Sequence, residues 1–530
     1  MPHLGEGLTV DQQVGQLVAV GFAGTTPDDH VLELIRHRHV GNVILFARNI
    51  QSAAQVLELT TSLQRAARDA GHPAPLLVMT DQEGGLVRRL GPDATVFPGS
   101  MALGAAGSED LAREVAEATG RELAAQGITM NLAPVVDINS NPANPVIGVR
   151  AYGEDVGDVA RLGAAAVRGY TAGGVIATLK HFPGHGDTAI DSHSALPVIA
   201  AARERLDRIE LVPFARGISA GAACVLTAHV ALPEVEPAGA ILPASLSPTV
   251  VQGLLRGGLG FDGVAITDCL EMDAVAAGVG MARGAVQAIR AGNDIALVSH
   301  RADRQGAALA AILAAVAQRE ITSERLGEAV DRVLRLKRRH LWWDRLPAPG
   351  GLGVVGGPTH RALAARAYAA STTIIRDDHA QIPLRLAPGE RLLVVVVPPR
   401  AVTAASDSVL DEDGLLAGVG RLHPDSTLTR AAPGDGDGGG PADMAASADL
   451  VVLITINCHA DERHRATAAR IAAAARRVVG LAAGDPYDAG VLPSIGTFLA
   501  SYDYATPALV AAFDVIFGRR AATGRLPVTI

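Results

Sequence analysis

Eight short apolar, β-branched runs, at residues 15–22, 40–46, 76–81, 129–137, 176–181, 223–229, 263–268 and 294–299, alternate with alanine-rich stretches of helical character. Near-continuous apolar strands separated by helices suit a parallel sheet covered on both faces. Eight such units predict a closed (β/α)8 barrel of the TIM type, because a doubly wound open sheet would need fewer strands. The polar residues sharpen this expectation. Asp81, Asp137, His181, His229 and Asp268 all fall at the C-terminal ends of the proposed strands, the end from which such barrels present catalytic side chains. Any one of them could be a strand-end cap or turn residue; five in corresponding places point to a site at one mouth of a barrel.

With 530 residues the chain exceeds an ordinary single domain. Ser323 as N-cap, followed by Leu326, Val330, Val333 and Leu334 at helical spacing, predicts a last barrel helix. Its end carries the basic run RLKRRH at 335–340, expected to be a solvated face favoured by the helix dipole. The Gly- and Pro-rich stretch 345–359 then reads as an interdomain linker. The expected organisation is a catalytic barrel over 1–344, the linker over 345–359, and a smaller α/β sandwich over 360–530. Within the latter, helical and strand-like segments alternate at 360–371, 391–397, 450–457, 477–483, 497–502 and 507–518. The segment GDGDGGG at 434–440 lacks the preceding strand, following helix and lysine of a phosphate loop and reads as a flexible loop.

Lys and Arg are scattered and the formal charge is −9, so neither nucleic acid nor a membrane surface is an expected partner. No run of about 18 apolar residues could span a bilayer, and the first residues lack a basic region followed by an apolar one. Three cysteines without a CxxC pair suggest neither a disulfide framework nor a thiolate metal site. A cytoplasmic, reducing location is therefore expected.

The stretch KHFPGHGDTAIDSHSALP at 180–197 gathers Lys180, His181, His185, Asp187, Asp191 and His193 into one loop after a strand. Three readings compete. A metal site could use the three histidines and two aspartates, although metal-binding histidines usually keep helical spacing and Lys180 would repel a cation. A purely structural loop would use Asp and His to satisfy irregular backbone, which explains each residue but not their concentration. In the third reading Asp191 and His193 form an acid/base dyad, the carboxylate stabilising the imidazolium and fixing its orientation. A second constellation is ITDCLEM at 266–272, where Asp268 ends an apolar strand at the proposed rim. A carboxylate there could attack an anomeric carbon and leave again, dividing one difficult displacement into two.

DQEGG at 81–85, NLAPVVDI at 131–138, IGVRAYG at 147–153, KHFPGHGDT at 180–188, DSH at 191–193 and TDCLEM at 267–272 occur in the order found in glycoside hydrolase family 3. The chain resembles that family, and within it the β-N-acetylglucosaminidase branch. RAYAASTTIIRDD at 366–378, GDPYD at 484–488 and FGRRAATGRLPVTI at 517–530 extend the resemblance through the second domain. It implies a retaining, exo-acting enzyme with Asp268 as nucleophile and His193 as acid/base assisted by Asp191. By motif position it also implies that Asp81, Arg89, Arg150, Lys180 and His181 line the sugar subsite. The substrate implied is a small glycoside, with muropeptide fragments of cell-wall recycling as the physiological suggestion, and neither a metal nor an organic cofactor is expected. Leu86, where arginine commonly follows DQEGG, and Val149, where a polar residue usually stands, depart from the pattern near the expected leaving-group side.

Aromatic residues make up only 3% of the chain and both tryptophans, Trp342 and Trp343, lie near the linker. A pocket for one terminal sugar is therefore favoured over a long aromatic cleft. Phosphorolysis, in which phosphate replaces water, stays open, since a histidine repels phosphate less than an anionic base would. A non-catalytic sugar-binding protein on the same scaffold also remains possible in principle, although all three expected catalytic positions are filled. In the second domain, Asn457, His459, Asp461 and His464 of INCHADERHR read first as a polar loop after a strand, with a reach over the barrel mouth or a small metal site as alternatives.

Overall fold

A computed structural model describes residues 4–192, 195–398, 406, 408–432 and 440–530. Eight parallel strands close into a barrel in sequence order: β1 (Val18–Val20), β2 (Asn42–Ile44), β3 (Leu77–Thr80), β4 (Met130–Asn131), β5 (Ile176–Phe182), β6 (Cys224–Thr227), β7 (Val264–Cys269) and β8 (Ile295–Val298). Val18, Ala19 and Val20 pair with Ala296, Leu297 and Val298 and complete the ring. Every residue of β1 to β6 and β8 is buried, as expected where side chains fill the barrel on one face and helices cover the other.

All eight expected strands are present, mostly shorter than their apolar runs. The largest difference is β4, which holds two residues where nine were expected. Pro134 interrupts the run and has no N–H to give a ladder, so beyond Asn131 the pairing with β5 is irregular: the Ala133 and Pro134 carbonyls accept from the Thr178 and Lys180 amides, and Val135 bridges Lys180. Helices Glu109–Ala125 and Val156–Ala172 cover one flank and approach closely at Gly169, where a Cβ would lie 2.3 Å from the Arg113 carbonyl oxygen.

The last barrel helix, Ser323–His340, is capped by Thr322, whose side chain accepts from the Arg325 amide. Its basic end is not uniformly solvated. Arg335 is exposed and pairs with Asp262 at 2.6 Å, but Lys337 is wholly buried at the N-terminal end of the barrel. Its Nζ donates to Gln16 Oε1 and to the Gly41 carbonyl, both at 2.7 Å. The helical stripe that buries Val330, Val333 and Leu334 carries position 337 inward with it.

The stretch 345–359 contains a 3-10 turn at Pro349–Val354 and leads into helix Pro358–Ser371. Buried Glu122 of the barrel fastens it, accepting from the Gly356 amide at 3.1 Å and from His360 Nδ1 at 2.8 Å. A six-stranded sheet follows, in the order β11-β10-β12-β13-β14-β9. Its strands are β9 (Thr373–Asp377), β10 (Leu392–Val397), β11 (Ser426–Arg430), β12 (Leu450–Thr455), β13 (Val478–Ala482) and β14 (Thr497–Ala500). All neighbours are parallel except β9, which runs antiparallel along β14 at the edge. The apolar core of this sheet includes Leu86, Met101, Ala102, Ala105 and Val149 from barrel segments, so the two units share packed side chains. Most of the glycine-rich segment 434–440 lies outside the described residues. Among the described residues no helix is long and apolar enough to cross a membrane.

Candidate active site

The C-terminal mouth of the barrel encloses a cavity of about 470 Å3, within the range of about 300–1,000 Å3 usual for small-molecule sites. Six of the expected residues line it: Asp81, Arg89, Arg150, Lys180, His181 and Asp268. Asp81 directly follows β3, Lys180 and His181 belong to β5, and Asp268 lies in β7, while Arg150 closes the 3-10 turn Gly148–Arg150. The register of β5 against β6 shifts between Leu179 and Phe182, and that of β7 against β8 shifts between Ile266 and Cys269. These irregularities coincide with Lys180, His181 and Asp268, and such breaks re-aim side chains beside sites.

Charge on the β3–β5 side is tightly paired. Lys180 Nζ lies 2.7 Å from both Asp81 Oδ1 and Glu83 Oε1. Arg150 donates from Nε to Glu83 Oε2 at 2.9 Å and from Nη2 to Glu83 Oε1 at 2.8 Å. Burial disfavours the Glu83 carboxylate, but Arg150 and Lys180 outweigh it and hold the group well below the usual carboxylate range. Burial likewise opposes the Lys180 ammonium, which Asp81 and Glu83 keep protonated by raising its pKa.

His181 is held from both sides. Its Nδ1 lies 2.7 Å from Asp137 Oδ2 and its Nε2 lies 3.3 Å from Arg150 Nη2. The tautomer that satisfies both carries its proton on Nδ1, donates to Asp137 and accepts from Arg150. Asp137, 1% exposed, also accepts from the His185 amide at 2.7 Å. His185 pins the following loop: its ring contacts Thr188 Oγ1 at 2.9 Å and Ser192 Oγ at 3.0 Å. Burial, reinforced by His181, pushes its pKa down to about 4 and keeps it neutral. Gly186 lets this loop lie against the 138–147 segment, since a Cβ there would lie 1.6 Å from the Ile138 carbonyl oxygen.

Asp268 Oδ1 accepts from the Cys269 amide at 2.7 Å. Behind it His229, the remaining strand-end histidine, is fully buried, with Nε2 2.9 Å from the Cys269 carbonyl oxygen and Nδ1 2.7 Å from Ser245 Oγ. Thus Asp137 and His229, read from sequence as candidates facing the mouth, stand behind His181 and the end of β7.

The opposite wall carries Phe46, Arg48, Glu271 and His300, none singled out from sequence. Arg48 stacks over the Phe46 ring at 4.4 Å and donates to the Ser299 carbonyl at 2.8 Å. Glu271 accepts from the His300 and Arg301 amides at 2.6 and 3.1 Å. Glu83 also escaped notice, although its place in DQEGG, two residues from Asp81, was the available signal.

His193 lies outside the described residues. Asp191 lines not the cavity of Asp268 but an adjoining one of about 620 Å3, with Arg150 and Val146 in both walls. Asn457, His459, Asp461 and Asp485 of the second domain line this second cavity, and none of these four lines the one that holds Asp268. His459 Nδ1 lies 2.8 Å from Asp488 Oδ1, and Asp461 caps helix Glu462–Ala474. Among the described residues no group of three or more His, Cys, Asp or Glu side chains could hold a metal ion.

Residues 9–336 match the glycosyl hydrolase family 3 N terminal domain. Over 443 residues the chain is 34% identical to β-hexosaminidase A of Pseudoalteromonas piscicida, covering 76% of this chain and 73% of that protein. A family 3 β-N-acetylglucosaminidase from Paenibacillus superposes with a TM-score of 0.91 at 42% identity, over 98% of this chain and 99% of that one. A fungal multi-domain β-N-acetylglucosaminidase of the same family gives 0.92 at 37% identity over 98% of this chain, which spans 61% of that longer chain. With a closed barrel whose mouth gathers a strand-end carboxylate and a paired set of charged side chains, the chain belongs to glycoside hydrolase family 3.

Proposed function

We propose that this chain is a retaining, exo-acting β-N-acetylglucosaminidase acting on small glycosides. One observation carries the reading: Asp268, at the end of β7, shares a single cavity with Asp81, Lys180, Arg150 and His181. Carboxylate and cationic side chains fixed against one another accept from and donate to sugar hydroxyls, and binding that strengthens in the transition state accelerates reaction. The relatives named above support N-acetylglucosamine as the sugar.

In the proposed mechanism His193, protonated and oriented by Asp191, gives its proton to the glycosidic oxygen as Asp268 attacks C1. A covalent glycosyl-enzyme forms and the aglycone departs as the alcohol. Neutral His193 then removes a proton from water, which attacks C1 and releases Asp268, so configuration is retained. Muropeptide-type fragments in the cytoplasm are the physiological substrates suggested by the sequence resemblance.

Turnover of aryl β-glycosides that differ only at the 2-position, with and without phosphate, tests sugar, reaction and acceptor together. Preference for the N-acetyl sugar with release of free sugar is expected. Preference for the glucoside, or formation of the sugar 1-phosphate, would overturn the reading.

A further inference from the structure

The second domain grips the barrel segment that carries Arg150. Asp485, just beyond β13 in the GDPYD segment, is 6% exposed and lies against the 3-10 turn Gly148–Arg150. Its carboxylate accepts from the Val149 amide and fills the place a side chain would take at position 148, where a Cβ would lie 2.5 Å from Asp485 Oδ1. Asn457 holds Asp485 in turn: its Nδ2 donates to Oδ2 and its Oδ1 accepts from the Asp485 amide, both at 2.8 Å. The Val149 side chain enters the apolar core of the second domain's sheet. At the far end of the segment, the Glu154 amide donates to the Pro527 carbonyl at 3.1 Å. The second domain thus closes on residues 148–154 at both ends.

What this grip controls is the direction of one donor. Arg150 donates from Nε and Nη2 to Glu83, its Nη2 also meets His181 Nε2 at 3.3 Å, and its Nη1 donates to the Val146 carbonyl at 3.0 Å. Of the five N–H groups of a guanidinium, the second on Nη1 has no partner among the described residues, and the side chain lines the cavity of Asp268. Glu83 and His181 orient the guanidinium plane. Val146 belongs to the same segment and moves with it, so the backbone that delivers Arg150 is fixed from the second domain by Asp485. A hydrogen bond weakens steeply with distance and angle, and a single remaining donor leaves no alternative.

We infer that Asp485 is a positioning residue for the glycosidase reaction: from the second domain it fixes the 148–150 turn and so directs Arg150 at the sugar bound beside Asp268. A carboxylate is suited to this because an ionised acceptor binds a backbone amide more strongly than a neutral one. Resting on the proposed glycosidase reading, the role concerns the sugar and not the aglycone, so it holds for every leaving group, muropeptide-type ones included.

The test uses full-length Asp485→Ala enzyme, aryl β-N-acetylglucosaminides whose phenols differ in acidity, and N-acetylglucosamine as a competitive inhibitor. KM and the inhibition constant of N-acetylglucosamine should both rise about tenfold, by the same factor for every leaving group, because the weakened interaction is with the sugar. Asp485→Asn, which keeps an acceptor oxygen for the Val149 amide, should recover part of the loss. A role confined to stability would lower kcat with the folded fraction and leave KM and the inhibition constant at their unaltered values; that result overturns the inference and leaves the glycosidase reading intact. A loss that grows as the phenol becomes less acidic would place Asp485 with the general acid and also overturns it. If Asp485→Ala fails to fold, Asn457→Gly decides: glycine accepts the left-handed backbone at 457, φ 56°, and removes both contacts that hold Asp485. The same two constants should then rise, and unchanged constants overturn the inference. Absence of turnover of the aryl substrates by the unaltered enzyme overturns both readings.

Discussion

Glu83 and Arg150 face each other through two hydrogen bonds, Nε to Oε2 at 2.9 Å and Nη2 to Oε1 at 2.8 Å, both side chains nearly sealed from solvent. The same carboxylate holds Lys180 at 2.7 Å. One carboxylate thus compensates two buried cations, and removing it leaves both without that partner. Glu83→Ala is expected to destabilise the fold by about 3–5 kcal/mol, read from urea unfolding, with a smaller loss for Glu83→Gln. A change below about 1 kcal/mol for the alanine variant would contradict this account of the pair.

Lys180 has a second task, since it also fixes Asp81 at 2.7 Å on the cavity wall. Lys180→Met removes a charge-assisted donor from the site and releases the Asp81 carboxylate. Loss of one such hydrogen bond corresponds to about 10–100-fold in kcat/KM on an aryl β-N-acetylglucosaminide. Kinetics at fixed pH measure it, and an unaltered kcat/KM would remove Lys180 from the site.

At the other end of the barrel, Lys337 gives the fold a pH signature. Burial lowers its pKa from 10.5 to about 7, whereas in the unfolded chain it titrates near its ordinary value. Between about 7 and 10.5 the unfolded state therefore binds the additional proton, and this group's contribution makes stability rise with pH across that window. Below about 7 the cost of the buried charge is present in full. Lys337→Met should lose this rise, on the order of a few kcal/mol, so the wild-type minus variant stability difference should change between pH 7 and pH 10. Parallel profiles would show that Lys337 titrates normally.

Leu86 ties the Asp81 loop to the second domain. Its side chain belongs to the apolar core of the six-stranded sheet, and its carbonyl oxygen accepts from Ser406 Oγ at 3.2 Å and Ser408 Oγ at 3.0 Å. Leu86→Ala should cost about 2–5 kcal/mol and raise KM by loosening the segment that carries Asp81 and Glu83. Calorimetry and steady-state kinetics check the two effects, and a destabilised variant with an unchanged KM would show that the contact serves stability alone.

The barrel was legible because each apolar run is a buried strand, and periodicity reports burial directly. What it could not report is which strand-end residue faces the mouth. Asp81, His181 and Asp268 do, while Asp137 and His229 sit one layer back, because β5 and β7 shift register at the site and the 181–192 loop folds over Asp137. Glu83 and Arg48 were passed over for a related reason. They lie beyond the strands, Glu83 on a loop and Arg48 in the 3-10 turn Ala47–Asn49, and their importance comes from partners distant in sequence: Arg150 and Lys180 for one, the Ser299 carbonyl for the other. Lys337 shows the limit of reading charge as exposure. A basic run at a helix end looks solvated as a string, yet one residue in it falls on the buried stripe. The strands β9 and β11 were missed because they are edge strands with half-exposed residues and lack the continuous apolar signal of β10 and β12.

The proposed mechanism turns on covalent attachment of the sugar to Asp268. The most direct measurement is mass spectrometry of His193→Ala enzyme quenched in acid during turnover of an activated aryl β-N-acetylglucosaminide, conditions in which formation of the intermediate needs little acid assistance and its hydrolysis lacks a base. One N-acetylglucosaminyl adduct is expected on the peptide containing Asp268, abolished by Asp268→Ala together with turnover. An adduct mapped to another residue, or full turnover by Asp268→Ala enzyme, would contradict it.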